Sequence, residues 1–242
     1  MSEATDYSES GQPIYKYGPR ERPFELAHGD AQTIEAVERH VRRHVGDPDS
    51  VYHELVSDLV HIDVHKVSPA PERNFITLVT SGMSDRPMIV PDGCDAPAFA
   101  ELLICLPADW PLGDVLNNES NYWPVRLMKL LARFPHEYDT WLGFGHTVPN
   151  GDPPRPYAGD TKLCAALIAP PVRFGDAFRT LTVSDDKVVE FYSVIPLYAE
   201  ELEYKLSNGT EPLLDRFDEA GINELLDPKR PNTCRKKRFG FF

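Results

Sequence analysis

The segment FPHEYDTWLGFGHTVPNGDPP (134–154) sets His136, Glu137, Asp139 and His146 within eleven residues, beside Gly143, Gly145 and Gly151. Imidazoles and carboxylates are the donors of transition-metal sites, and glycine loops can cradle phosphate. A phosphate cradle needs a helix N-terminus after its glycines, and no helical pattern follows GFG. Neither a strand followed by GxGxxG nor a GxxxxGK[ST] loop occurs. His136 falls at the end of a helical pattern, where a cation meets the negative end of the helix dipole. The segment therefore reads as a binding loop rather than a reaction centre. Its glycines leave room for another backbone to come close.

A second group, His61, Asp63 and His65, alternates in HIDVHKV and so projects from one face of a strand. Three such donors suit zinc or iron. No fourth donor follows at a diagnostic spacing, and the pattern fits better as a polar side opposite Ile62 and Val64. His40 and His44 lie one helical turn apart, but Arg39, Arg42 and Arg43 beside them repel a cation. A solvated helix face is expected there. Cys94, Cys105, Cys164 and Cys234 form no CxxC unit. Cys164, on an apolar run, reads as a small core residue, and no GxSxG elbow marks a serine nucleophile. The residues thus predict no catalytic group, no metal and no cofactor.

The elements that would hold these residues follow from periodicity. Ile34, Val37, Val41 and Val45 recur at helical spacing before Gly46 and Pro48, which predicts a helix over 31–45. Strands are predicted at 61–67, 74–80 and 98–107 from their β-branched, aromatic and continuous apolar content. WPVRLMKLLARFP (123–135) predicts a helix with Pro124 in its first turn and Pro135 at its end. WLGFGHTV reads as a strand weakened by glycine. Further strands are expected at 163–170, 178–183 and 187–197, the last two joined by the turn Ser184-Asp185-Asp186. A helix over 197–209 ends at Gly209, and two short helices are expected at 212–221 and 222–227. Roughly six strands in hairpin-like pairs with four or five helices predict an α+β fold: a mixed, largely antiparallel sheet packed with helices in a single domain. Residues 1–23 read as a flexible arm, 24–232 as the domain, and 233–242 as a basic-aromatic tail.

Composition limits the partners. The 242 residues carry a net charge of −13, and six Lys/Arg with no acid fall in residues 229–242. The remaining body is strongly acidic, which disfavours nucleic acid, whose binding needs phosphate neutralisation. It suits a basic partner. The N-terminus lacks the basic and apolar regions of a signal peptide, and the apolar run AFAELLICLP is too short for a membrane span. Sparse cysteine suits a reducing compartment. A cytoplasmic location is the expectation.

Two series of residues carry a resemblance. Trp123-Pro124, Leu127-Met128 and Leu131-Ala132-Arg133-Phe134 precede Gly145-His146-Thr147-Val148 and a Pro-Asn turn. Phe191 to Leu197, Glu200-Glu201-Leu202, Asn208-Gly209, Leu213-Leu214 and Asp227-Pro228-Lys229-Arg230 follow in order. Over roughly residues 30–232 the chain resembles the suppressor-of-fused domain family, in particular its stand-alone bacterial members. The resemblance implies a non-enzymatic protein-binding domain. In animals the family sequesters zinc-finger transcription factors, and two lobes close on an extended peptide that adds as a strand. This chain is similar to the first lobe. The animal protein places an acid just before the His-Val pair, where this chain has Gly145. Bacterial members are linked with polymorphic toxin systems and proposed as immunity proteins.

The leading expectation is therefore an immunity protein that masks a basic toxin domain by stoichiometric binding. Trp141, Phe144, His146, Asp152, Tyr157 and Asp160 are its expected contacts, with Glu200, Glu201 and Glu203 of the acidic helix as a second surface. A regulator or scaffold that binds an endogenous peptide or transcription factor is the alternative. A metal-dependent hydrolase using His61, Asp63, His65 or His136 is the third reading.

Overall fold

The computed structural model describes residues 4–20, 22–114 and 118–235. The tail from Lys236 onward lies outside the described residues. Along the chain run β1 (Asp6–Tyr7), β2 (Pro13–Ile14), α1 (Ala31–His44), β3 (Ser50–Tyr52), β4 (Asp63–Val67), β5 (Phe75–Ser81), β6 (Phe99–Pro107), α2 (Glu119–Glu137), β7 (Thr147–Pro149), β8 (Ala165–Ala169), β9 (Thr180–Ser184), β10 (Lys187–Leu197), α3 (Ala199–Asn208) and α4 (Thr210–Ala220).

One mixed sheet of eight strands has the order β3-β4-β5-β6-β10-β8-β7, with β9 also on β10. All its pairings are antiparallel except β6 with β10. β10 is long enough to serve three neighbours. Its first half pairs β9, its second half pairs β8, and its other edge pairs β6. The fold is thus α+β.

Helices cover both faces of the sheet. Ala100, Leu102, Ile104 and Leu106 of β6 lie under Trp123, Leu127, Met128 and Leu131 of α2. Leu103 and Cys105 face the other way, onto Val37 and Val41 of α1. On β8 and β10, Leu167, Ile195 and Leu197 pack on Leu202 of α3 and Leu213 and Phe217 of α4. A strand covered twice reads as a continuous apolar run, as AFAELLICLP does. Each fully buried leucine or isoleucine contributes about 1.5–3 kcal/mol through lost water contact.

Several expectations change. α2 begins five residues before Pro124, with the Asn118 side chain capping the Ser120 N–H, and extends past Pro135. The α1 stripe is Thr33, Ala36, Val37, His40 and Val41, so His40 turns inward. Its Nε2 meets the Phe178 carbonyl at 2.9 Å, and its ring stacks on Phe178 and Phe191. It is not on a solvated face. Residues 222–227 are not helical: they bend at Asn223 and Glu224, Leu225 bridges Cys105, and the Cys105 N–H donates to the Glu224 carbonyl. WLGFGHTV contributes only its Thr147-Val148 end to a strand.

The N-terminal segment is not a free arm where it is described. β1 and β2 form a hairpin, and the Ser10 N–H donates to the Leu206 carbonyl. Tyr15 packs edge-on to Trp141, and Tyr17 packs on Phe134 with its hydroxyl 2.7 Å from Thr140 Oγ1.

Candidate functional site

The loop from His53 to Ile62, between β3 and β4, combines unusual exposure with dense anchoring. Leu55 is 100% exposed and Val56 70%. Residues 24–27 run beside it: Leu26 bridges Asp58, the Ala27 N–H donates to Ser57 and the Leu59 N–H to Glu25. Phe24 and Leu26 are also more than half exposed. Four large apolar side chains therefore stand in water on two paired segments.

Ion pairs and hydrogen bonds hold this loop. Glu54 pairs with Arg133 of α2 at 2.5 Å and accepts from Ser57 Oγ at 2.8 Å and the Ile62 N–H at 3.2 Å. Asp58 pairs with Arg20 and accepts from the Glu25 N–H. Leu59 has φ +68 and is buried. A left-handed leucine is strained and persists only where its surroundings over-determine it. The loop is thus a fixed platform.

The histidine–acid group predicted on β4 divides. His61 Nε2 lies 3.2 Å from Asp63 Oδ1, but His65 turns to Ser81, 2.8 Å away, and is buried. The third partner is His53, whose Nδ1 is 2.9 Å from Asp63 Oδ2. Sequence alternation pointed to His65 because it counts along one strand. His53 arrives from the neighbouring loop.

The residues expected to meet a partner separate by burial. Trp141 and Tyr157 belong to the core, Tyr157 stacked on Trp123 at 5.1 Å. Glu201 is fully buried in an ion pair with Arg230. Glu200 is half-buried and accepts from Asn232 at 2.8 Å. Phe144, Asp152, Asp160 and Glu203 are exposed. His136 is buried against the Met83 carbonyl at 2.8 Å, and burial lowers its pKa. It therefore sits in the core uncharged, rather than as a cation at the helix end. The chain that comes close to Gly145 is this protein's own: a Cβ there would lie 2.9 Å from Thr210 Oγ1 at the start of α4.

His146 is half-buried beside Trp141, and burial, then the Lys205 ammonium, push its pKa down to about 4. Unfolded, the imidazole titrates near 6.5. Between these values the unfolded chain binds the proton and the folded one does not, so stability falls as pH drops through that window. The stability advantage of wild type over His146→Gln should shrink between pH 6.5 and 4. Denaturant midpoints that differ equally at pH 7 and pH 4 would contradict this assignment.

Sequence reasoning passed over His53, Leu55, Val56 and Ser57. The available signal was an apolar pair inside the polar run HELVSD, where a loop has no core to serve.

Comparisons with known proteins agree with this architecture. A SUFU homolog of Neisseria gonorrhoeae FA 1090 superposes with a TM-score of 0.64 at 20% identity, covering 86% of this chain and all of that one. A chain from a Sufu–Fu complex gives 0.58 at 16% identity, covering 83% of this chain and 92% of its own. Drosophila Suppressor of Fused gives 0.53 at 15%, covering 83% of this chain and 50% of the fly chain. Uncharacterized protein UU111 of Ureaplasma parvum serovar 3 is 26% identical over 136 residues, which span 56% of this chain and 63% of that relative. Among the described residues no helix is long and apolar enough to cross a membrane. The family profile described as Suppressor of fused protein (SUFU) matches residues 58–231, well over half of the sequence, and on that match the chain belongs to the suppressor of fused family.

Proposed function

We propose that the chain acts by stoichiometric binding of another protein, without catalysing a reaction, and that this partner is a basic toxin domain which it neutralises as an immunity protein. The observation that carries the binding role is the apolar group Phe24, Leu26, Leu55 and Val56, exposed on a loop fixed by Arg20, Arg133 and their acids. Large apolar side chains exposed on two paired segments suit an interaction site, and a rigid platform keeps the ordering cost of association low. The Sufu–Fu complex shows a relative with this fold bound to a protein.

Charge supports the finer part. Glu203, Glu211, Asp215, Asp218 and Glu219 are exposed on α3 and α4, and the net charge of −13 would speed encounter with a basic domain. Phe144, Asp152 and Asp160 would add contacts at the other edge of the sheet. The regulatory reading, with an endogenous peptide adding as a strand, draws on β7. Ile168 donates to His146 and Asn150 to Cys164, so by antiparallel alternation the N–H and C=O of Thr147 point away from β8.

The test is co-purification with toxin domains encoded beside the gene, at low and high salt. Wild type should bind, more weakly in high salt. The double substitution Leu55→Asp/Val56→Asp should raise Kd by about 30-fold or more, as loss of a binding hot spot costs about 2 kcal/mol. Its melting temperature should not change, since both side chains are exposed. Failure of wild type to bind any neighbouring toxin sinks the immunity role. Unchanged affinity in the double variant sinks the apolar platform.

A further inference from the structure

The geometry points to a site for a divalent transition-metal ion of the zinc type where the β3–β4 loop meets the start of β4, with His53 Nδ1, His61 Nε2 and the Asp63 carboxylate as ligands. These three residues each offer a donor atom within 4.8 Å of the others.

Proton accounting carries the inference. Ser57 Oγ lies 2.8 Å from Glu54 Oε2 and 2.7 Å from His61 Nδ1. A hydroxyl has one proton, and an ionised carboxylate only accepts. Ser57 therefore donates to Glu54 and accepts from His61, which places the imidazole proton on Nδ1. A neutral His61 then turns its bare Nε2 lone pair towards Asp63 Oδ1, 3.2 Å away. Two acceptors would face each other. The Asp63 side chain is only 7% exposed, and its Oδ1 is buried with no hydrogen-bond donor. An unpaired buried carboxylate oxygen is costly. A cation between Nε2 and Oδ1 satisfies both lone pairs at once.

The donor types match such an ion, and the Lys129 ammonium, 3.2 Å from the His53 carbonyl, is a nearby cation it must displace from the field of Asp63. Two imidazoles and a carboxylate suit zinc, cobalt or nickel. Ligand atoms around tetrahedral zinc lie about 3.3 Å apart. His61 Nε2 lies 3.2 Å from Asp63 Oδ1 and His53 Nδ1 2.9 Å from Oδ2, so each carboxylate oxygen faces one imidazole, and an ion would draw the three donors, now within 4.8 Å of one another, onto one centre. His53 is 64% exposed along its side chain and has freedom to adjust. Three protein donors leave one position for water. Behind them, Ser57, Glu54 and Arg133 form a chain that fixes the His61 tautomer, the role outer partners play in metal sites. The ion would tie the loop that carries Leu55 and Val56 to the edge of the sheet. This site stands apart from the identity of any protein partner.

The tag-free chain, purified without chelators, would be titrated with Zn²⁺ against a chromophoric chelator and with Co²⁺ by visible spectroscopy. One equivalent per chain is expected, with cobalt d–d bands. His53→Asn and Asp63→Asn should each weaken binding by at least about 100-fold, the upper end of what losing an outer partner costs, and Ser57→Ala by about 10- to 100-fold. His65→Gln should bind as wild type does. Because His53 is exposed, His53→Asn tests the site in a folded chain even if Asp63→Asn fails to fold. Zinc should raise the melting temperature of wild type but not of His53→Asn. The inference fails if wild type takes up no ion, or if His53→Asn and Ser57→Ala bind as tightly as wild type. It fails equally if NMR finds both His61 nitrogens protonated with zinc present, which would make the pair a plain imidazolium–carboxylate bridge.

Discussion

Replacing Arg230 with alanine should destabilise the protein by about 3–5 kcal/mol, the cost of leaving a buried charge without its partner. Glu201 is fully buried and Arg230 nearly so. The guanidinium meets both carboxylate oxygens, at 2.6 and 2.5 Å, and also donates to the Pro196 carbonyl at 2.8 Å. Glu201 accepts further from the Tyr198 N–H, which caps α3, and from Thr233. Arg230 packs over the rings of Tyr198 and Phe217 as well. The pair thus ties three things together: the end of β10, the start of α3 and the segment that follows α4. For a chain of this length such a loss lowers the melting temperature by roughly 6–20 °C. A double replacement, Glu201→Leu with Arg230→Met, should recover most of it, because apolar groups of similar volume leave no charge stranded. Glu203→Gln, on the exposed side of the same helix, should stay within about 0.5 kcal/mol of wild type. Guanidinium denaturation of the four proteins measures this. A loss below about 1 kcal/mol in Arg230→Ala would show that water reaches Glu201 and that the pair is a surface feature.

That result bears on how the sequence could be read. The acidic run of α3 looked uniform, because helical periodicity distinguishes apolar from polar faces but does not say which carboxylate has an arginine 29 residues away. The same limit applies to His40, which takes a place in the buried stripe of α1 only because the Phe178 carbonyl lies opposite. Long periodic elements were legible: α1, β5, β6, β10 and α3 lie within two residues of where their patterns put them, and α2 contains its predicted span but runs beyond it at both ends. Short ones were not. β1, β2 and β3 have two or three residues each, too few for a period of two to register, and of the strand expected at WLGFGHTV only the Thr147-Val148 end forms, in β7. INELLD has helical spacing, yet the bridge from Leu225 to Cys105 of β6 keeps it out of a helix, so tertiary contact overrides propensity. The parallel union of β6 and β10 joins strands about 90 residues apart, and no local signal announces it. The apolar platform and the His53–Asp63 contact were hidden for a related reason. Each is made by two segments that are distant or differently structured, and the decisive fact is burial rather than residue type.

Replacing Gly82 with alanine should disturb fold and candidate metal site together. Gly82 has φ +99, a conformation that costs an alanine roughly 1–2 kcal/mol by itself. The larger effect is collision. A Cβ on Gly82 would stand 1.8 Å from the His61 carbonyl oxygen and 2.8 Å from its carbon. Both are backbone atoms at the entrance to β4, where Asp63 pairs with Ser81, so no flexible side chain can give way. The turn after Gly82 also places Ser84, whose N–H and hydroxyl reach the fully buried Glu101 at 3.0 and 2.6 Å. Burial raises the pKa of that carboxyl, and these donors oppose the shift. Moving the turn therefore strands an acid in the core as well as displacing His61 from Ser57 and Asp63. We expect a loss on the order of 4–5 kcal/mol, at the extreme of single substitutions. Any folded fraction should also bind zinc more weakly than wild type, because the His61 carbonyl and its ring move as one residue. Gly159→Ala is the control: nothing lies within 4 Å of its Cβ position and its backbone is not left-handed, so it should fall within about 0.5 kcal/mol of wild type. Denaturant midpoints and zinc titration on the two variants separate the effects. Equal midpoints would show that β4 and β5 can part to admit a methyl group, and the rigidity assigned to the His53–Asp63 platform would fall with that result.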